Sequence, residues 1–129
     1  MDRVKYHKYM FTIAAIWNWV LAAAFMILPR IDINYLYLAG DTIPPTMLWF
    51  DSFMGLVFLF GIGFYLVSLN IAENHGFIKI ACFEKVWVFI IPVYYFLIGQ
   101  ATIWVVVFVT VDLIFGFLFM EDLRAITRK

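Results

Sequence analysis

Two apolar stretches decide the fold: Phe77–Ile98, FIKIACFEKVWVFIIPVYYFLI, and Ala101–Met120, ATIWVVVFVTVDLIFGFLFM. Each has the ~20 residues that carry an α-helix through a hydrocarbon core of about 30 Å. Each also holds a charge that such a core penalises, Lys85 in the first and Asp112 in the second. The break Gly99-Gln100 lies beside the midpoint of positions 85 and 112. A hairpin folded there brings the two opposite charges level. An unpaired charge at that depth costs at least ~2.5–3.5 kcal/mol on insertion scales, so the two are expected to pair.

Working outward, two further apolar stretches precede these, roughly Tyr9–Leu28 and Thr46–Ile71. The chain is 66% hydrophobic and only 14% charged. A soluble domain is nearer half apolar and a quarter charged. The predicted fold is all-α: an integral membrane, antiparallel four-transmembrane-helix bundle, with helices at about 9–28, 46–71, 77–98 and 101–120. Four spans fill residues 1–129 and make a single transmembrane domain. The formal net charge is zero, which suggests no nucleic-acid surface.

The first stretch follows the basic start Arg3, Lys5, His7, Lys8 but is too long for a signal core, and it lacks a convincing small-residue cleavage site before Pro29. It reads as a retained helix closed by Pro29. With four spans, both termini fall on one side. That side carries Arg3, Lys5, Lys8, Lys79, Arg124, Arg128 and Lys129 against Arg30 alone on the other. The positive-inside bias therefore places both termini in the cytoplasm and the chain in the cytoplasmic (inner) membrane.

The longest connection runs from Pro29 to Pro45. Its segment Ile33-Asn34-Tyr35-Leu36-Tyr37-Leu38 is too apolar for a free loop. It is expected on the membrane surface with Tyr35 and Tyr37 at headgroup level, or else as a lid over the bundle mouth. Pro44-Pro45 is expected to start the second helix. Glu73-Asn74-His75-Gly76 reads as a turn, and Pro92 as a packing kink in the third helix.

One polar residue on each helix falls in a single layer. Asn18, Tyr65, Lys85 and Asp112 each lie six to nine residues from the cytoplasmic end of their span, a depth of roughly 9–14 Å at 1.5 Å per residue. Spacings of three and four put Phe11, Ala15, Asn18 and Ala22 on one face of the first helix. They likewise group Asp51, Met54, Phe58, Gly61 and Tyr65 on the second, Cys82, Lys85 and Phe89 on the third, and Phe108, Asp112 and Gly116 on the fourth. Small residues on these faces let helix backbones approach closely. The Tyr65 hydroxyl and Asn18 amide are expected to satisfy the remaining valences of the Lys85–Asp112 pair. Such a layer is a structural register lock in its plainest reading; a proton-linked or ligand site is the second reading and a catalytic site the third. Glu84 and Asp51 are secondary candidates. Glu84 points about 100° away from Lys85 around the helix. Asp51 stands near the outer mouth, where it caps a helix start or holds a cation.

Other chemistry finds no support. Cys82 is the one cysteine, which excludes an internal disulfide or a CxxC centre. His7 and His75 are both expected at the membrane edge, leaving no pair for haem. No cluster has metal-ligand spacing, and Ser52 and Ser68 lack a histidine at matching depth. No catalytic residue, metal or cofactor is expected. Gly61-Ile62-Gly63 inside a span is helix packing rather than a phosphate loop.

Taken with Ile16-Trp17-Asn18-Trp19, Gly61-Ile62-Gly63-Phe64-Tyr65, Asn74, Lys85 and Val111-Asp112-Leu113-Ile114-Phe115-Gly116, the chain resembles small bacterial four-helix membrane proteins, DoxX-like in layout. Some DoxX-like proteins work as small subunits beside redox enzymes, so the resemblance implies an accessory role. The chain differs from the small multidrug transporters, which need a glutamate in helix one where Asn18 stands here. The expected function is a non-enzymatic accessory or scaffold subunit of a membrane assembly, with membrane lipids and a membrane protein partner or further copies of itself as neighbours. The alternative is a small carrier or binding protein for a lipid-like or protonated ligand in the bundle cavity.

Overall fold

In a computed structural model describing residues 2–128, helix begins before the apolar run does. α1 spans Arg3–Ile31, α2 Leu48–Leu69, α3 His75–Leu97 and α4 Ile103–Thr127. A short 3-10 helix, Ile33–Leu38, follows α1. All four long helices are long and apolar enough to cross a membrane.

Both terminal helices outrun the expected spans, because their polar ends are themselves held. The Asp2 carboxylate accepts from the Val4 amide at 3.4 Å and starts α1 six residues before Tyr9. α4 continues seven residues past Met120, and Asp122 on that extension is fully buried. Pro29 does not close α1. It sits in the last turn, where few following N–H groups depend on it, and the helix ends when Asp32 turns extended and donates its N–H to Leu28 at 2.9 Å. The Arg30 guanidinium folds back along the last turn and donates to the Met26 carbonyl. α2 starts at Leu48 rather than Thr46, with the Thr46 hydroxyl accepting from the Leu48 amide at 3.3 Å. Pro44-Pro45 lies in the irregular segment before it.

The turns are built as their residues dictate. Gly99 has φ +80°, a left-handed conformation suited to glycine. Gln100 N–H donates to Tyr95 at 2.8 Å and Gly99 N–H to Phe96 at 3.0 Å, the paired bonds of a Schellman end to α3. Between α2 and α3, the Asn74 side-chain amide donates to the carbonyl of the C-cap Asn70 at 2.7 Å and to the Leu66 carbonyl at 3.3 Å, fastening the turn to the end of α2.

α1 packs mainly on α2, and α3 on α4. Along α1 and α2 the matched residues are His7 with Val67, Ala15 with Gly61, Asn18 with Val57, Phe25 with Phe50 and Arg30 with Asp51. Along α1 and α4 they are Arg3 with Glu121, His7 with Asp122, Phe11 with Phe119 and Phe25 with Phe108. Gly61 is the tightest point of the first pair. A Cβ there would stand 2.6 Å from the Trp19 ring and 3.2 Å from the Ala15 carbonyl oxygen.

The 3-10 segment does not lie free of the bundle. It packs on α1 and on α4 and buries Leu36, with Tyr35 and Tyr37 left exposed. The Thr102 hydroxyl donates to the Leu38 carbonyl at 3.2 Å, and Gly40 forms an isolated bridge with Ala101. The connection thus straps across to the α3–α4 turn.

Candidate functional site

Lys85 is placed by the narrow buried stripe of α3, Ile78, Ala81, Cys82 and Lys85, at spacings of three and four. Its side chain is 1% exposed. The ammonium donates to Asp112 Oδ1 at 2.6 Å and to Asn18 Oδ1 at 3.1 Å. The Asn18 amide nitrogen then donates to the Val57 carbonyl at 3.0 Å, tying the backbone of α2 into the same cluster. The carbonyl has a second lone pair free for this bond beside its helical one. Gly116 makes room on α4. A Cβ there would meet Lys85 Cβ at 3.0 Å, tighter than ordinary contact.

Asn18, Lys85 and Asp112 are therefore brought together as the sequence predicts, and Tyr65 is not. Tyr65 is 43% exposed and lies against Trp19, with ring centroids 5.9 Å apart. The buried face of α2 is Met54, Val57, Gly61, Phe64, Val67 and Ser68. Gly61 belongs with Phe64, three residues on, so Tyr65 falls about 100° further round the helix. Phe58 is exposed for the same reason. α2 contributes a ring instead: the Lys85 ammonium stands 5.0 Å from the centroid of Phe64, a cation–π geometry. Tyr65→Phe should leave thermal unfolding and the Lys85 cluster unchanged; a fall of several degrees would restore the hydroxyl to the core.

The secondary candidates separate. Asp51, in the first turn of α2, pairs with Arg30 at 3.0 Å. The acid sits at a helix start and the cation at a helix end, the arrangement both helix dipoles favour. Glu84 Oε2 lies 3.6 Å from the Lys85 ammonium and has no hydrogen-bond partner. That distance is too long for a hydrogen bond.

A second polar cluster lies nearer the start of α1. His7, expected at an edge, is buried. Its Nδ1 meets the Asp122 carboxylate, and its Nε2 faces the Val67 carbonyl at 3.2 Å. Both ring nitrogens face acceptors, so an imidazolium donates to both and a neutral ring to one. Arg3 reaches Asp122 Oδ1 at 2.8 Å and Glu121 at 3.0 Å. The signal for this cluster lay further along each stripe: Phe11 extends to His7 by four, and Gly116 reaches Asp122 through Phe119 in two steps of three.

Aromatic rings separate the two clusters. Phe11 stacks on Phe119 with centroids 4.6 Å apart, and Phe64 meets Phe119 at 5.1 Å. All three are fully buried. Beyond the Lys85 layer, Phe25 packs against Phe50 at 5.9 Å and Phe108 at 5.8 Å. The core thus alternates polar cluster, rings, polar cluster, rings. Among the described residues no group of three His, Cys, Asp or Glu side chains is disposed to hold a metal ion. No protein-family model, curated protein or solved structure matches the chain.

Proposed function

We propose that the chain is a non-enzymatic accessory or scaffold subunit of an assembly in the cytoplasmic (inner) membrane. Its four helices cross the bilayer antiparallel with both termini in the cytoplasm. The numbering of the matched pairs supports the antiparallel arrangement: it rises along α1 from 7 to 30 while falling along α2 from 67 to 51. The excess of Lys and Arg beside the termini supports the orientation.

The observation that carries the subunit reading is the sealing of Lys85. Its ammonium is satisfied by Asp112 and Asn18 and its side chain is 1% exposed. A group so enclosed suits holding helices in register better than meeting a substrate. Meanwhile Trp49, Phe83, Trp87 and Leu97 all project outward, available to lipid or to a neighbouring helix. The resemblance to DoxX-like proteins points the same way. Gentle-detergent purification from the native membrane tests this. A membrane protein should accompany the chain in fixed ratio, and a folded K85M/D112L variant should still retain it. A chain recovered alone, or a partner lost from that variant, contradicts the reading.

A further inference from the structure

We propose that the groove between α3 and α4 binds a lipophilic monocation, an ammonium or phosphonium on an apolar body, with Glu84 as its counter-ion. The groove has a volume of about 890 Å³, and its lining includes Lys79, Ile80, Phe83, Glu84, Trp87 and Met120. That size lies in the range of small-molecule sites, about 300–1,000 Å³.

Charge selects the occupant. Glu84, Lys85 and Asp112 put two carboxylates beside one ammonium. The ammonium is committed to Asp112 at 2.6 Å and Asn18 at 3.1 Å. The Glu84 side chain is 17% exposed, and its Oε2 is buried with no hydrogen-bond partner. An ionised Glu84 therefore carries a negative charge that no cation within hydrogen-bond reach matches, inside an apolar span where charge is costly. An acyl chain fills such a groove but leaves that charge unmatched; a cation with an apolar body does both.

The walls fit the same ligand. Ile80, Glu84 and Trp87 follow at spacings of four and three and so form one ridge, with Phe83 beside it. The rings of Phe83 and Trp87 are exposed and attract a cation through their faces. Lys79 is the other charged group on the groove. It lies five residues from Glu84, about 7.5 Å along the axis. It repels the cationic head at its own end and so directs the head toward Glu84. The proposal goes beyond the subunit reading and does not depend on it.

The test uses the full chain in phosphatidylcholine vesicles with tetraphenylphosphonium as probe, its binding followed by flow dialysis. Wild type should bind saturably, with one probe per chain. Glu84→Gln should weaken binding at least tenfold, and Glu84→Asp only a few-fold. Ile80→Trp, which fills the groove and keeps the charge, should abolish binding; it carries the test if Glu84→Gln fails to fold. Dodecylammonium should displace the probe and dodecanol should not. Equal binding to wild type and Glu84→Gln, or no saturable site, overturns the proposal. Displacement by dodecanol makes the groove an acyl-chain seat. Efficient Phe83→Cys cross-linking between chains makes it an interface between copies. Either result also overturns it.

Discussion

Lys85→Met alone should cost about 3–5 kcal/mol of folding free energy, the usual loss when one partner of a buried ion pair is removed. The substitution shortens the unbranched side chain by a single atom, the Nζ itself, and removes the charge that Asp112 faces at 2.6 Å. It also strips the donor from Asn18. Asp112→Leu should be comparably damaging, because it leaves the ammonium without its anion. The K85M/D112L combination should recover most of the loss, since a buried pair replaced as a unit by apolar groups is often neutral. Unfolding in mixed micelles, followed by circular dichroism, gives all three values. A double variant as unstable as either single would mean that the pair contributes more than mutual neutralisation.

Asp122→Ala should have an effect of the same order, about 3–5 kcal/mol. Asp122 is fully buried between Arg3 and His7, on a helix extension that the apolar run does not reach. Removing it leaves His7 with one acceptor, the Val67 carbonyl, and leaves Arg3 leaning on the exposed Glu121. Glu121→Ala is the control. Its ion pair is open to solvent, 57% exposed on the carboxylate side, and such pairs contribute little. The same micelle titration should separate the two variants clearly. Equal effects would mean that helix-end charge, not the buried contact, matters here.

The contrast between Asp112 and Asp122 shows what the sequence could and could not reveal. Asp112 interrupts a run of apolar residues, so its cost in lipid makes it visible and its partner deducible. Asp122 follows Glu121 in a segment that reads as a solvated helix end; nothing in its neighbours marks it as buried. Only continuing the spacing from Asp112 through Gly116 and Phe119 would have reached it. Tyr65 failed for a different reason. α2 is apolar on every side, so hydrophobicity picks out no face. Gly61 can be grouped by four with Tyr65 or by three with Phe64. The close approach of Trp19 and Ala15 at Gly61 settles the choice, and that contact belongs to another helix. Residues 9–28 gave the body of α1 correctly but neither end, because Asp2 and Asp32 set the ends with hydrogen bonds that no periodicity encodes.

The Lys85–Asp112 and His7–Asp122 contacts differ in how much chain separates their members, and for a protein made at a ribosome that difference sets an order of events. Lys85 and Asp112 belong to consecutive helices. On the proposed membrane reading they can leave the insertion machinery already paired within one hairpin. His7 and Asp122 belong to α1 and α4, so their contact must wait until α4 has been synthesised. On that reading one contact serves entry into lipid, and the other closes the four-helix bundle.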